Sequence, residues 1–261
     1  MIYILGGRGF VGSAFARACE AAGGEYRIID RENYSRLAGS SCDLFINAAG
    51  NSKKFLSGRA PLRDFDASVR SVRSSLTDFG FKRFVLISSA DVYPDSSAPE
   101  TTSEDRELDV ARMSAYGFHK YLAELCVRHA ARDWLIVRCG GFVGPGLRKN
   151  AVFDILNGGP LWLDPKSELQ YIHTDQAAAA VLRLADLGVA REIVNLCARG
   201  VVSLSQVMGW AGREVAVEAG SPLIRCELDL SRALSFVELP ETAHAVRQFV
   251  ASHASEGDAA S

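Results

Sequence analysis

The chain has 261 residues, 48% of them hydrophobic, with 29 basic against 31 acidic residues and a formal net charge of −2. That length and apolar content suit one large globular domain, or one domain with a small lobe, and the near-neutral charge gives no electrostatic case for nucleic acid or a membrane surface. The six cysteines form no C-x-x-C pair and no zinc-type spacing, so reduced thiols and no metal are expected. The chain opens directly on a strand-like run and holds no apolar stretch of membrane-spanning length; no signal peptide is expected, and the cytoplasm is the expected compartment.

Residues 2–5 are an apolar run that reads as a buried parallel strand. Gly6-Gly7-Arg8-Gly9-Phe10-Val11-Gly12 follows at once. A helix is expected over residues 11–22, stopped by Gly23 and Gly24. A second strand, 26–29, ends at Asp30. A third, 44–47, ends with Asn47 and leaves through Ala48-Ala49-Gly50 toward polar Asn51, Ser52 and Lys53. A helix over 66–79 and a strand over 83–88 come next, and the strand exits through Ser88-Ser89-Ala90-Asp91-Val92-Tyr93-Pro94. Residues 98–109 are polar and loop-like. Ser114 can N-cap a helix carrying Tyr116 and Lys120, with Phe118, Leu122 and Leu125 as an apolar stripe on another side. Residues 134–138 read as a strand. Strands alternating with helices predict an α/β fold, a Rossmann-type doubly wound parallel sheet. Its crossovers should be right-handed and its site should lie at the strand carboxyl ends.

After Arg138 the texture changes. Gly140-Gly141-Phe142-Val143-Gly144-Pro145-Gly146 is glycine-rich and leads to basic Arg148 and Lys149. A helix over 151–157, a short strand near 161–163 whose Trp162 could stack on a base or sugar ring but reads first as a core aromatic, and a strand over 170–173 running into a helix over 174–187 are expected. Residues 193–196 read as a further strand of the main sheet, and helices are expected over 204–211 and 240–252.

Three features carry chemistry. Gly6, Gly9 and Gly12 lie between a strand and a helix, where glycines permit a tight turn, close approach of a pyrophosphate and close helix packing. With Asp30 at the end of the next strand, this reads as a dinucleotide site. Asp30 can accept from ribose hydroxyls and repels a 2′-phosphate, which favours NAD; Arg8 or Arg31 pairing with such a phosphate would reverse that and leaves NADP open. Tyr116 and Lys120, four apart on a helix, share a face. An ammonium beside a phenol favours its ionised form, and lowering a tyrosine from ~10 to ~7 is worth about 4 kcal/mol.

The chain resembles the extended short-chain dehydrogenase/reductases, the NAD-dependent epimerase/dehydratase family. The resemblance is carried by the glycine segment from Gly6 to Gly12, Asn47-Ala48-Ala49-Gly50, Ser88 to Tyr93, Tyr116-x-x-x-Lys120, Arg138 to Gly146, and Tyr171-Ile172-His173-Thr174-Asp175. It implies that Ser89, Tyr116 and Lys120 are catalytic: Ser89 bonds the reacting oxygen, Tyr116 moves the proton, and Lys120 lowers the pKa of Tyr116 and holds the nicotinamide ribose. It places the cofactor along Gly6, Gly9, Phe10, Val11 and Gly12, then Asp30 and Arg31, then Asn47, Ala48, Ala49, Gly50 and Ser88, then Tyr116 and Lys120, and finally Gly140 and Phe142. It places substrate near Asn51, Ser52, Asp91, Gly141, Arg148 and Lys149, with Ser89 and Tyr116 at the reacting end.

The domains implied are residues 1–142 as the NAD(P)-binding domain, completed by about 171–198; 143–170 and 199–253 as a small substrate lobe; and 254–261 as a disordered tail. The expected activity is oxidation or reduction of a secondary alcohol or ketone on a nucleotide-linked sugar, of the 4-keto reductase or 4-epimerase type. A non-sugar carbonyl substrate and a non-catalytic NAD(P)-sensing regulator stay open as alternatives. Homodimer pairing through the Tyr116 helix is a further expectation.

The sequence also departs from the family. Only a dozen residues separate Asp30 from Asp43, where a full-length member fits a further strand with an adenine-binding acid. Gly141 replaces a common substrate-site asparagine. His119 replaces a serine and reads as a packed or exposed histidine. Ala90-Asp91 stands where dehydratases carry an Asp-Glu pair.

Overall fold

The computed structural model describes residues 1–51 and 54–258, the last five of them by backbone alone. The predicted substrate residue Ser52, with Lys53, lies outside the described residues.

The first half alternates as expected. In chain order come β1 (Ile2–Leu5), α1 (Gly12–Ala21), β2 (Tyr26–Ile29), a short α2 (Tyr34–Leu37), β3 (Ser41–Asn47), α3 (Phe55–Arg59) and α4 (Pro61–Phe65). A π-helical turn, Asp66–Arg70, then feeds α5 (Ser71–Asp78), β4 (Gly80–Ser89), α6 (Ala115–Ala130) and β5 (Trp134–Cys139). The helix expected over 66–79 is therefore interrupted at its start, a distortion that often marks functional sites. The second half adds β6 (Gly141–Val143), α7 (Ala151–Leu156), β7 (Glu168–Leu169), β8 (Tyr171–His173), α8 (Thr174–Asp186) and β9 (Glu192–Leu196). It closes with β10 (Val202–Ser203), α9 (Leu204–Ala211), β11 (Arg225–Cys226), α10 (Ser231–Leu234) and α11 (Thr242–Asp258).

Six strands form one sheet in the order β2-β1-β3-β4-β5-β9, with every pairing parallel. The order reverses at β1, so a crevice opens at the carboxyl ends of β1 and β3. The short span after Asp30 holds only α2, which leaves β2 as the sheet edge where a longer chain would add a strand.

The apolar strand runs, buried on both faces, fix this arrangement. Ile4, Ile46, Val85 and Val137 pack with Phe15 of α1 and Val181 of α8 on one face. Phe45, Phe84, Leu86 and Ile136 pack with Val72 of α5 and Val127 of α6 on the other. A third cluster joins Val143, Ile155, Leu161, Tyr171, Val207 and Val246, away from the sheet. Two small sheets, β10-β7-β11 and β6-β8, accompany it.

Two expectations fail here. The strand near 161–163 is no more than an isolated bridge from Leu161 to Val217, and Trp162 is 65% exposed instead of core, because a lone bridge buries Leu161 and turns its neighbour outward. The helix α11 continues to Asp258, into the stretch expected as a disordered tail; Ala254 and Glu256 suit helix propagation, and 259–261 lie outside the described residues. None of the six cysteines is in a disulfide, and no helix among the described residues is long and apolar enough to cross a membrane.

Candidate active site

The carboxyl ends of β1, β3 and β4 and the first turns of α6 converge on one crevice. The glycine loop forms its floor. A Cβ on Gly12 would stand 2.1 Å from the Gly6 carbonyl oxygen, and one on Gly6, whose φ is +81°, would stand 2.9 Å from Ala49 N. The loop thus folds onto itself and onto the β3 exit at a distance no side chain permits. Phe10 and Val11 lead into α1, and the Phe10 ring meets Phe142 edge-on with centroids 6.4 Å apart.

Asp30 closes the far end. Its Oδ1 accepts from the backbone N–H of Glu32 and Asn33, at 3.0 and 3.2 Å. Its Oδ2 is buried and accepts no hydrogen bond from any described residue, although Arg8 Nε lies 3.0 Å away as an ion pair. Arg31 is exposed on the following turn. A glycine cradle and a buried carboxylate oxygen lacking a donor fit the pyrophosphate and ribose of a dinucleotide.

Two predicted cofactor residues serve the fold instead. Ser88 is buried, and its hydroxyl donates to Glu124 Oε1 at 2.5 Å. Successive strand residues face opposite sides, so Ser88 points away from the crevice while Ser89 points into it. Asn47, fully buried, donates to Ser75 Oγ at 3.1 Å and accepts from Ala49 N at 3.1 Å, which shapes the Ala48-Ala49-Gly50 exit.

Gly140 and Gly141 are likewise explained by packing. A Cβ on Gly140 would meet Cys197 Sγ at 2.7 Å, and one on Gly141 would meet the Tyr171 ring at 2.6 Å. Their smallness lets β6 lie against β8 and the end of β9. Arg148 and Lys149 are exposed on the loop between β6 and α7.

At the reacting end, Ser114 caps α6 by accepting from Gly117 N at 3.0 Å. Gly117 matters more than its helical position suggests: a Cβ there would lie 1.9 Å from the Asp91 carbonyl oxygen. Its absence lets α6 touch the Ser89–Asp91 loop and sets the Tyr116 phenol near Ser89, which favours its ionised form. Ser89 Oγ also donates to Asp91 Oδ2 at 2.7 Å. Lys120 is 7% exposed; its Nζ donates to the Ile87 carbonyl at 3.0 Å and lies 3.6 Å from where a Cβ on Gly50 would stand. The three predicted catalytic residues therefore meet at the β3 and β4 exits.

The electrostatics run against one expectation. The Tyr116 phenol is held well above the ordinary tyrosine range, first by burial and then by the carboxylates of Asp91 and Asp64, with Ser89 pulling the other way. Lys120 does not offset this. Burial lowers its own proton affinity, and its ammonium is bonded to a backbone carbonyl. A shared helix face put lysine and tyrosine near one site without putting charge against phenol.

Several site residues were not visible in the sequence. Lys54 Nζ lies 2.6 Å from Asp91 Oδ2 and donates to Oδ1 at 2.8 Å, over the Tyr116 ring at 5.8 Å from its centroid. Asp64, 1% exposed, contacts His119 Nδ1 at 2.6 Å and accepts from Asn51 Nδ2 at 2.8 Å and Ser68 Oγ at 3.3 Å. His119 is packed, as expected, but also paired, and Asn51 is tied to the same acid. Behind Lys120, Arg138 forms a bidentate pair with Glu124 and donates to Tyr93 Oη at 3.0 Å. Among the described residues no His, Cys, Asp or Glu cluster could hold a metal.

The model of the NAD dependent epimerase/dehydratase family matches residues 2–197, which contain the whole crevice. The chain belongs to this family. Among solved structures, a UDP-galactose 4-epimerase aligns over 98% of this chain and 99% of its own at 22% identity, with a TM-score of 0.81. MoeE5 in complex with UDP-glucose and NAD aligns over the same shares at 18% identity and a TM-score of 0.82. A dTDP-4-dehydrorhamnose reductase from Bacillus anthracis, in complex with NADP, covers 96% of this chain and 97% of its own at 15% identity, with a TM-score of 0.78. At these identities the likeness speaks for the fold. A search of curated proteins gave no match. Membership of the epimerase/dehydratase family accounts for the order of glycine loop, serine exit and Tyr-x-x-x-Lys helix along this chain.

Proposed function

We propose that the protein is an NAD(P)-dependent enzyme that interconverts a secondary alcohol and a ketone on a nucleotide-linked sugar, as a 4-keto reductase or 4-epimerase. The observation that carries this reading is the meeting of Ser89, Tyr116 and Lys120 beside a glycine cradle at one strand-end crevice. The family match and the nucleotide-sugar enzymes that share the fold support it. Residues 1–142, completed by about 171–198, form the cofactor domain in this reading, and 143–170 with 199–253 form the substrate lobe.

The glycine loop and Asp30 would hold the dinucleotide, with Lys120 at the Gly50 exit facing its ribose. When bound, the nicotinamide supplies hydride chemistry; the protein supplies alignment and the proton. Tyr116, protonated at ordinary pH, donates to a carbonyl oxygen held beside Ser89 and takes a proton back from a hydroxyl in the reverse direction. The raised proton affinity of Tyr116 suits the carbonyl-reducing half of either reaction. Asp30 Oδ2 supports NAD, and Arg8 is already engaged with Asp30 instead of being held ready for a 2′-phosphate.

The α6 stripe supports homodimer pairing: Phe118 and Leu125 are exposed, as are Leu62 and Phe65 on α4. Light scattering tests it, with a dimer expected and a monomer contradicting it.

A thermal-shift panel of NAD, NADP and UDP- or dTDP-linked hexoses tests the main reading. NAD at about a hundred times its Kd adds about 2.7 kcal/mol, which is several °C, and a nucleotide sugar should add to it. No shift with any nucleotide would contradict the reading.

A further inference from the structure

We propose that Asp91 is a positioning residue that makes Ser89 a hydrogen-bond acceptor at the reacting oxygen, so that the resting site takes its substrate as the alcohol and holds the ketone less tightly. The inference rests on Ser89 bonding that oxygen in the reaction proposed above.

The Ser89 hydroxyl is already engaged on two sides. It donates to Asp91 Oδ2 at 2.7 Å and accepts from the Asp91 backbone N–H at 3.2 Å, capping the short 3₁₀ turn Ala90–Val92. A hydroxyl has one proton and two lone pairs. The proton and one lone pair are committed to Asp91, which leaves one lone pair for a ligand.

Asp91 is itself held in place. Lys54 Nζ lies 2.8 and 2.6 Å from its two carboxylate oxygens, and a carboxylate paired with an ammonium only accepts. Its backbone is pinned as well, because its carbonyl oxygen lies 1.9 Å from where a Cβ on Gly117 would stand and α6 leaves it no room to shift. Lys120, the other ammonium of the site, is bonded to the Ile87 carbonyl at 3.0 Å.

The two oxidation states of a substrate meet this arrangement differently. A hydroxyl group needs one donor and one acceptor; protonated Tyr116 supplies the first and Ser89 the second. A ketone oxygen only accepts. Tyr116 can donate to it, but Ser89 presents a lone pair until its hydroxyl turns. Turning breaks a bond to a charged acceptor, which is stronger than a bond between neutral groups. The resting site therefore favours the alcohol side of the interconversion, which suits a reductase, and a ketone gains Ser89 as a donor only after the Ser89–Asp91 bond breaks.

Two measurements test this. Neutron diffraction from crystals of the full chain in heavy water, without ligands, should place the Ser89 deuteron on the line to Asp91 Oδ2; a deuteron directed into the crevice would overturn the proposal. Binding is then read by calorimetry with matched probes: dTDP-4-keto-6-deoxyglucose with NAD, and its borohydride-reduced alcohols with NADH, so that neither complex turns over. Asp91→Ala should tighten the keto sugar about tenfold and leave the alcohols within about twofold. In a Ser89→Ala background the same substitution should give no gain, which separates the Ser89 proton from the direct effect of the Asp91 charge on Tyr116. Unchanged keto affinity in Asp91→Ala, or an equal gain in both backgrounds, would also overturn it. If neither sugar binds the wild-type chain with cofactor, the nucleotide-sugar reading fails, and the deuteron position still decides the state of Ser89.

Discussion

Two acid–base pairs flank the Tyr116 helix, and they do different work. Arg138 and Glu124, 2% and 0% exposed, lock α6 onto β5 in a network that also takes in Ser88 and Tyr93. Lys54 and Asp91, 63% and 29% exposed, sit at the crevice rim beside the phenol. Removing one partner of a buried pair leaves an uncompensated charge and costs about 3–5 kcal/mol. Exposed pairs contribute about 0–1 kcal/mol. The first pair fixes where Tyr116 stands. The second is too weak to hold structure, and its Asp91 carboxylate raises the proton affinity of the phenol beside it.

That contrast can be broken from either side. Glu124→Ala should lower unfolding stability by about 3–5 kcal/mol in urea titration; a loss below about 1 kcal/mol would remove the distinction between the pairs. Alkaline pH probes two buried thiols, Cys139 at the site end of the sheet and Cys42 at its opposite end. Burial pushes the thiols of Cys42 and Cys139 up to about 11 and about 12, so the folded chain keeps protons that the unfolded chain loses. Stability should therefore be fully present below pH ~8.5 and fall above it, by about 1.4 kcal/mol per pH unit for each such thiol. Cys139→Ala should flatten that fall in denaturant midpoints between neutral and alkaline pH. Asp30→Ala should weaken NAD by about tenfold, about 1.4 kcal/mol, and NADP less, by calorimetry; equal losses would remove the basis for preferring NAD. Lys54→Gln should change stability by no more than about 1 kcal/mol, and a larger loss would mean that the rim pair is structural after all.

The sequence carried the scaffold far. Residues 2–5, 26–29 and 204–211 are elements with the bounds their apolar pattern predicts, and the short span after Asp30 announced the shortened sheet edge. Ser89, Tyr116 and Lys120 do meet. What failed was direction. Ser88 and Ser89 are adjacent on a strand, and alternation alone means that only one of them can enter the crevice. The spacing of Tyr116 and Lys120 gave a common helix face but not the Ile87 carbonyl that takes the ammonium, so the expected lowering of Tyr116 became a raising. Lys54, Asp64 and Gly117 act through contacts 26 to 55 residues apart in the chain, from Gly117 against Asp91 to His119 on Asp64, and short stretches bearing them carry no pattern to announce it. Trp162 was expected in a core strand that the chain does not form.

In the proposed reaction Tyr116 moves the proton in a dinucleotide site. Tyr116→Phe, assayed for NAD affinity by calorimetry and for turnover on the nucleotide sugar selected by the thermal-shift panel, tests it most directly. NAD affinity should stay within about twofold, because the phenol lies away from the glycine loop and Asp30, while turnover should fall about 10²–10⁴-fold. Turnover equal to that of the wild-type enzyme would contradict the account.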